Sequence, residues 1–467
     1  HYQTVNSLNL DAATVVRFSQ HLGYDGFPKL QREIRQRVKD DLLIRPHQAE
    51  VVASPPGVAS EALQEVLLAL ERTRISLDTA ALEKLVEQLG QARRINILAE
   101  GPAQPTAYSL VLFLEEGGFP VYIARAGVTD LARIGKVTPE QFWPPLTGAA
   151  WGYRRKARLS VRYVAAKERV LVGFRETYAR FVADIQECRV LDPRIGAQLA
   201  ALSGLIHSMR ARETIPQIEV ACGDDACALV FRHLEPLGED DLQKLRAFAR
   251  ASGIAVMLQP AGPTSIHALE PATVELGFRL PAFGLELAFG PSDFVQVNAD
   301  MNRRMIDRAL ELLAPGAGDR VLDLFCGLGN FTLPIATRAA ECVGVEGDEE
   351  LVRKARANAA RNGVDNARFH VADLAAEMTA GTAPWLQGAY DSALVDPPRS
   401  GAESILPVLA ACGARRIVYV SCHPASLARD AGLLVDRFGF RLAGAGVMDM
   451  FPHTGHVESI ALFERAT

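Results

Sequence analysis

Cys422 stands in Ser421-Cys422-His423-Pro424, directly after the apolar run Ile417-Val418-Tyr419-Val420. A thiolate presented at a strand end can add to an electron-poor carbon and leave again, replacing one difficult step by two easier ones. Upstream lies Asp323-Leu324-Phe325-Cys326-Gly327-Leu328-Gly329-Asn330, a glycine loop of the kind that holds a nucleotide-like ligand. Downstream, Glu458 supplies a carboxylate that could remove a proton. A methyl-donor fold with such a cysteine suits carbon 5 of uracil, a poor nucleophile until a thiolate adds to carbon 6. Carbon 5 can then attack the methyl of S-adenosylmethionine, a base removes the carbon-5 proton, and the cysteine is eliminated. A buried core thiol is the commoner fate of cysteine. The place of Cys422 between a strand and Pro424 argues for exposure, whereas Cys326 and Cys342 read as core.

Other residues fall at consecutive strand ends. Gly327 and Gly329 permit a sharp turn and close approach to a ligand, and Thr332 stands where dinucleotide spacing would place a third glycine. Glu346 ends the second strand, where a carboxylate can accept ribose hydroxyl protons, and Asp373 follows the third, where it can accept from an adenine amine. Asp396-Pro397-Pro398-Arg399 ends the fourth. An aromatic residue in place of Arg399 would suit amino-group methylation. A cysteine just after the fourth-strand proline would suit cytosine carbon 5, and none is there. Gln296, in Asp293-Phe294-Val295-Gln296-Val297-Asn298, precedes a helix and could offer an amide to the cofactor.

The elements that must position these groups are legible as alternation. From about residue 282 onward, short β-rich runs end in Gly or Asp and are each followed by a helix. The spacing predicts strands over 320–325, 342–346, 367–371, 392–395, 416–421 and 457–463, and helices over 331–338, 348–362, 403–411 and 425–435. This is an α/β, Rossmann-like pattern with a parallel sheet and ligands at the strand carboxyl ends. Residues 132–281 predict a mixed α/β central domain with strands over 158–164 and 170–174 and a helix over 240–251. Residues 1–45 look helical, 46–79 form a linker and helix, and 80–131 form a partial α/β fragment with strands near 95–98 and 120–123.

Composition bounds the rest. The 467 residues suffice for about three domains. A hydrophobic fraction of 49% with 22% charge fits a folded soluble protein. No apolar run of about 18 residues predicts a membrane span. The start His1-Tyr2-Gln3 lacks a charged-then-apolar leader. Seven scattered cysteines without a Cys-x-x-Cys pair suggest a reducing cytoplasm rather than a disulfide framework. The net charge of -5 is no signal for nucleic acid, but its distribution is. Between Trp151 and Arg180 nine basic residues meet two acidic ones, with Trp151, Tyr153, Tyr163, Phe174 and Tyr178 interleaved. Arg154, Arg155, Lys156 and Arg158 could neutralise phosphates while aromatic faces stack bases. A solvated basic strand surface would look the same.

From about residue 132 to the end, these motifs together resemble the bacterial 23S rRNA uracil-C5 methyltransferases. The resemblance rests on Trp151 to Leu159, Phe294 to Asn298, Leu322 to Phe331, Val395 to Gly401, Val420 to Pro424 and His453 to Ser459. It implies Cys422 as nucleophile and Glu458 as base. It implies an S-adenosylmethionine site lined by Gln296, Phe325, Gly327, Asn330, Glu346, Asp373 and Asp396, with ribosomal RNA as partner. The sister branch acts on tRNA. The family also carries a [4Fe-4S] cluster on three closely spaced cysteines and a fourth. Only the fourth is matched here, by Cys188, so this chain is not expected to bind the cluster. The N-terminal stretch around Ala13 to Phe27 resembles the helix-turn-helix of RpiR-type regulators, and residues 80–125 resemble the start of their sugar-phosphate-binding SIS domain. Both are incomplete, so DNA binding is not expected. A regulator carrying a passenger methyltransferase is the alternative reading.

Overall fold

In the computed structural model the described residues are 95–99, 121–125, 131, 134–176, 181–376, 383–454 and 456–465, the first two segments as backbone alone. The chain divides into units of residues 1–86 and 87–467, and every described residue belongs to the second. The helix-turn-helix expected over 1–45 and the linker over 46–79 therefore lie outside the described residues. Of the fragment over 80–131, two strands are described: β1 (Ile95–Ala99) and β2 (Val121–Arg125), paired in parallel.

The central region is a six-stranded sheet in the order β5-β4-β6-β7-β8-β9. Its strands are β4 (Lys156–Val164), β5 (Arg169–Gly173), β6 (Gln217–Cys222), β7 (Cys227–Arg232), β8 (Ala255–Gln259) and β9 (His267–Glu270). In β4, Leu159 and Val161 point inward while Arg158 and Arg162 point out, the period-two pattern of a half-buried strand. The inward face packs on α1 (Leu199–Ser208) and α2 (Glu239–Ser252). Acidic residues 239–241 fill the first turn of α2, where the helix dipole favours them, and Gly253 closes it at φ 70°. Ala221, Ala228 and Ala255, small residues on the other side, share a core with the hairpin β10 (Leu276–Leu280) and β11 (Leu285–Phe289) and with α3 (Ala299–Leu313). Cys222 and Cys227 face each other across β6 and β7 and are joined as a disulfide, contrary to the expectation that no cysteines pair. It is one local bridge closing a hairpin.

The C-terminal region is built on an eight-stranded sheet in the order β14-β13-β12-β15-β16-β18-β17-β3. Strands β12 (Arg320–Leu324), β13 (Glu341–Glu346), β14 (Ala367–Val371), β15 (Ser392–Val395) and β16 (Arg416–Ser421) are parallel. The inner strands have buried apolar centres, as strands covered on both faces must, while β14 at the edge alternates buried Ala367 and Phe369 with exposed Arg368. Helices α4 (Thr332–Ala336), α5 (Glu349–Arg361), α6 (Leu406–Ala411) and α7 (Pro424–Asp436) connect them. The order reverses between β12 and β15, the switch point at which such sheets open a ligand crevice.

Beyond β16 the alternation stops. β18 (Glu458–Arg465) runs antiparallel between β16 and β17 (Phe440–Met448), which the periodicity did not predict. The stretch Ala443-Gly444-Ala445-Gly446 lacks β-branched residues because the Trp143 ring lies against it. A Cβ on Gly444 would run into that ring. β3 (Gln141–Phe142) pairs with β17, so residues 137–146, grouped by sequence with the central domain, border this sheet. No described helix is long and apolar enough to cross a membrane.

Candidate active site

β16 ends at Ser421, and the chain bends before α7. The Ser421 hydroxyl donates to the His423 carbonyl at 3.0 Å, and the His423 amide donates to the Ser421 hydroxyl at 3.1 Å. His423 caps α7, its Nδ1 accepting from the Ser426 amide at 3.3 Å. Cys422 is held, half-buried, between these two short-range brackets. The antiparallel ladder ends where Ser421 faces Ser459; carried one residue further, its register points Cys422 toward Glu458, whose charge acts on the Cys422 thiol. Glu458 opens β18 yet reaches the carboxyl edge of β16 because β18 runs the other way.

Burial dominates the electrostatics here. Glu458 is 4% exposed. Desolvation, with Asp396 adding to it and Arg399 opposing, pushes its carboxyl up to about 8. Asp396 keeps a partial opening to solvent, but protein crowds its carboxyl, and desolvation raises it to about 7. The Cys422 thiol is pushed above its ordinary value by burial and by these two acids, with Arg399 as the charge that favours the thiolate. Arg399 is exposed, with a guanidinium nitrogen 3.2 Å from His456 Nδ1.

The glycine loop lies on the other side of the switch point. Phe325, Gly327 and Gly329 all adopt positive φ, at 64°, 54° and 94°. Phe325 does so at a steric cost that glycine would not bear. A Cβ built on Gly327 meets no atom within 4 Å, so this backbone borders open space. Glu346 fastens the loop: one carboxylate oxygen accepts from the Gly327 amide at 3.1 Å, the other from Gly347 at 2.7 Å and Asp348 at 3.1 Å. Asn330 exchanges two hydrogen bonds of 2.9 Å with Asn302 of α3. Asp373 is exposed beyond β14 and accepts from the Ala375 amide at 3.0 Å. Gln296 is half-buried just ahead of α3, whose N-cap Asn298 accepts from Met301 at 3.2 Å.

Two features escaped the sequence reading. Asp323, fully buried in β12, accepts from the Thr332 hydroxyl at 2.5 Å through one oxygen, while the other has no partner. Burial raises it to about 8. An acid in the middle of Val321-Leu322-Asp323-Leu324 was the available signal. The second feature is a clasp on the loop leading to Glu458. The Tyr153 hydroxyl donates to the Pro452 carbonyl at 2.8 Å, Trp151 stacks on His453 at 4.0 Å, and Arg154 lies 5.7 Å over Phe451.

The four basic residues singled out from sequence separate. Arg154 belongs to that clasp. Arg155 is 6% exposed and donates to Asp224 at 3.2 Å, so it faces inward. The Lys156 ammonium donates to the Pro291 carbonyl. Arg158 is exposed and pairs with Glu219 at 3.0 Å. Cys188 is half-buried beside Gly196. Of the other six cysteines, Cys222 and Cys227 are joined to each other, Cys326, Cys342 and Cys412 are buried, and Cys422 is at the site. The described group with three candidate metal ligands, Asp192, Cys222 and Cys227, omits Cys188 and has both sulfurs in the disulfide. These residues do not fit a [4Fe-4S] cluster, which takes four ligands.

Comparison with known proteins identifies the family. The family model described as tRNA (Uracil-5-)-methyltransferase matches residues 229–466. The protein named 23S rRNA (uracil(1939)-C(5))-methyltransferase RlmD from Alkalilimnicola ehrlichii is 57% identical over 71% of this chain and 74% of its own length. Its namesake from Xanthomonas euvesicatoria pv. vesicatoria is 52% identical over 80% of this chain and 86% of its own. The solved structure of Pyrococcus abyssi tRNA (uracil-54, C5)-methyltransferase with S-adenosyl-L-homocysteine covers 72% of this chain and 81% of its own at TM-score 0.55 and 23% identity, a likeness of fold. With the family model matching just over half of the chain and its relatives covered over most of their length, the chain belongs to the uracil-C5 RNA methyltransferase family.

Proposed function

We propose that this chain methylates carbon 5 of a uridine in 23S rRNA, in the cytoplasm, through a covalent adduct on Cys422. The carrying observation is that the β16–β18 ladder ends at Ser421 and Ser459, leaving Cys422 and Glu458 as the next residues at the carboxyl edge of a sheet that also carries the glycine loop. The names of the relatives support 23S rRNA over tRNA as substrate.

Open space over Gly327 and the buried, half-partnered Asp323 below the loop fit S-adenosylmethionine. Gln296, Phe325, Gly327, Asn330, Glu346, Asp373 and Asp396 would hold it. When bound, it supplies an electrophilic methyl group. The chain's own residues do the rest. The Cys422 thiol, held protonated by burial, first loses its proton to solvent; the thiolate, with Arg399 opposing the nearby acids, adds to carbon 6, and the electron pair gained makes carbon 5 nucleophilic. After carbon 5 has taken the methyl, Glu458 accepts the carbon-5 proton. The returning electron pair expels the Cys422 thiolate, leaving 5-methyluridine. A carboxyl raised to about 8 is mostly neutral at pH 7, so Glu458 must ionise first, and kcat/KM should rise with pH toward that value.

The test is transfer of labelled methyl from S-adenosylmethionine to undermethylated ribosomal RNA, followed by mapping of the modified base. RNA bearing 5-fluorouridine should give an adduct stable on a denaturing gel, since fluorine does not leave as a proton would. Glu458→Gln should trap the same adduct with normal RNA. Methyl found on tRNA alone would reassign the substrate, and absence of both transfer and adduct would overturn the proposal.

A further inference from the structure

On β4 the residues facing outward recur every second position, Lys156, Arg158 and Arg162 among them, and Arg154 lies two residues before the strand. From Arg154 to Arg162 is eight residues, about 26 Å of extended chain. The near end touches the candidate active site, because Arg154 lies over Phe451, whose ring edges His456, which meets Arg399. The far end opens into a notch of about 350 Å³ lined by Arg162, Tyr163, Arg175, Arg212 and Glu213.

Three arginines against one glutamate is an unusual balance for this region. Other arginines of the central region are neutralised, among them Arg158 by Glu219 at 3.0 Å, Arg194 by Asp192 at 2.7 Å and Arg250 by Glu270 at 3.1 Å, while Arg232 at the end of β7 is a lone exposed cation among the described residues. Arg162 and Arg175 are exposed, and no carboxylate lies within 4.0 Å of either among the described residues. Arg212 has Glu213 only at 4.0 Å and stacks 4.8 Å above the Tyr163 ring. Two uncompensated guanidinium groups invite an external anion.

We infer that the RNA strand entering the active site runs along the outward face of β4 and seats a phosphate in the Arg162–Arg175–Arg212 notch. This inference rests on the reading of the chain as an RNA methyltransferase. The notch is a second anchor, remote from the reacting uracil, and it acts on affinity and not on chemistry.

The full chain and an in vitro transcript of large-subunit rRNA provide the test. Binding is measured across a range of salt concentrations for the wild type, the double variant Arg162→Ala/Arg175→Ala and the double variant Arg162→Lys/Arg175→Lys. Loss of the one seated phosphate should flatten the dependence of log affinity on log salt by about 0.7 and weaken binding at about 0.1 M salt by roughly 5-fold. The lysine variant should recover most of this, since a point charge still meets a phosphate. In methylation assays the alanine variant should show its loss in KM. An alanine variant with wild-type slope and affinity overturns the notch, even if the wild type methylates the RNA. A wild type whose binding depends on both arginines but which transfers no methyl leaves the notch standing and overturns the proposed reaction.

Discussion

Two sets of carboxyl groups, one at the edge of the catalytic sheet and one at its junction with the central sheet, have opposite surroundings. Asp323, Asp396 and Glu458 sit in desolvated positions, and all three are raised to about 7 or 8. At the junction, Asp224 accepts from Arg155 at 3.2 Å, Arg303 at 2.9 Å and the Arg279 amide at 2.8 Å, while Arg194 donates to the neighbouring carbonyls of Gly223 and Asp224. Buried acids deprived of cations hold protons and can move them; an acid surrounded by guanidinium groups ties segments together. The first arrangement costs stability and supplies chemistry, and the second supplies position.

The sharpest break is Cys422→Ala, which should abolish methyl transfer while leaving the calorimetric affinity for S-adenosylhomocysteine unchanged. Normal turnover by this variant would remove the covalent mechanism. Next, Glu346→Ala removes the carboxylate that fastens Gly327. A charge-assisted hydrogen bond is worth roughly 1.5–3 kcal/mol, so S-adenosylhomocysteine should bind about one to two decades more weakly. Equal affinity would show that the loop needs no such anchor.

On the junction side, Asp224→Ala strands the buried Arg155 and should destabilise the fold by about 2–4 kcal/mol in denaturant melts. A loss under about 0.5 kcal/mol, ordinary for a surface site, would deny the junction its structural role. The smallest effect separates the two sets by pH. A folded carboxyl raised above its ordinary value holds a proton that the unfolded chain has already released. Its contribution is therefore fully present below about pH 4 and is lost as pH climbs through about 8. Glu458→Gln should thus melt with the wild type near pH 4.5 and roughly a few degrees above it near pH 8.5. Parallel melting curves at both pH values would contradict the buried, protonated Glu458.

The parallel strands were legible because each is a short apolar run ended by its own turn chemistry; the runs over 367–371, 392–395 and 416–421 match β14, β15 and β16 residue for residue. Fold class and family followed from these local signals. The Gly- and Ala-rich β17 was not legible, because its partner, the Trp143 ring, lies some three hundred residues away in sequence. Nor was the disulfide, since five residues of separation say nothing about whether two strands pair.

The sequence by itself determined the chemical groups: a thiol after a strand, a glycine turn, and acids at strand ends. Their spacing obeys near-neighbour sterics, so it can be read without the fold. Only the tertiary structure decided which groups meet and in what state. That β18 inserts antiparallel beside β16 brings Glu458 to the sheet edge that carries Cys422. That β12 is buried on both faces protonates Asp323. That Asp224 meets Arg155 turns one member of a basic run inward while Arg158 and Arg162 stay outside. Pairing register and desolvation are non-local quantities, summed over residues far apart in the chain, and no short window of sequence contains them.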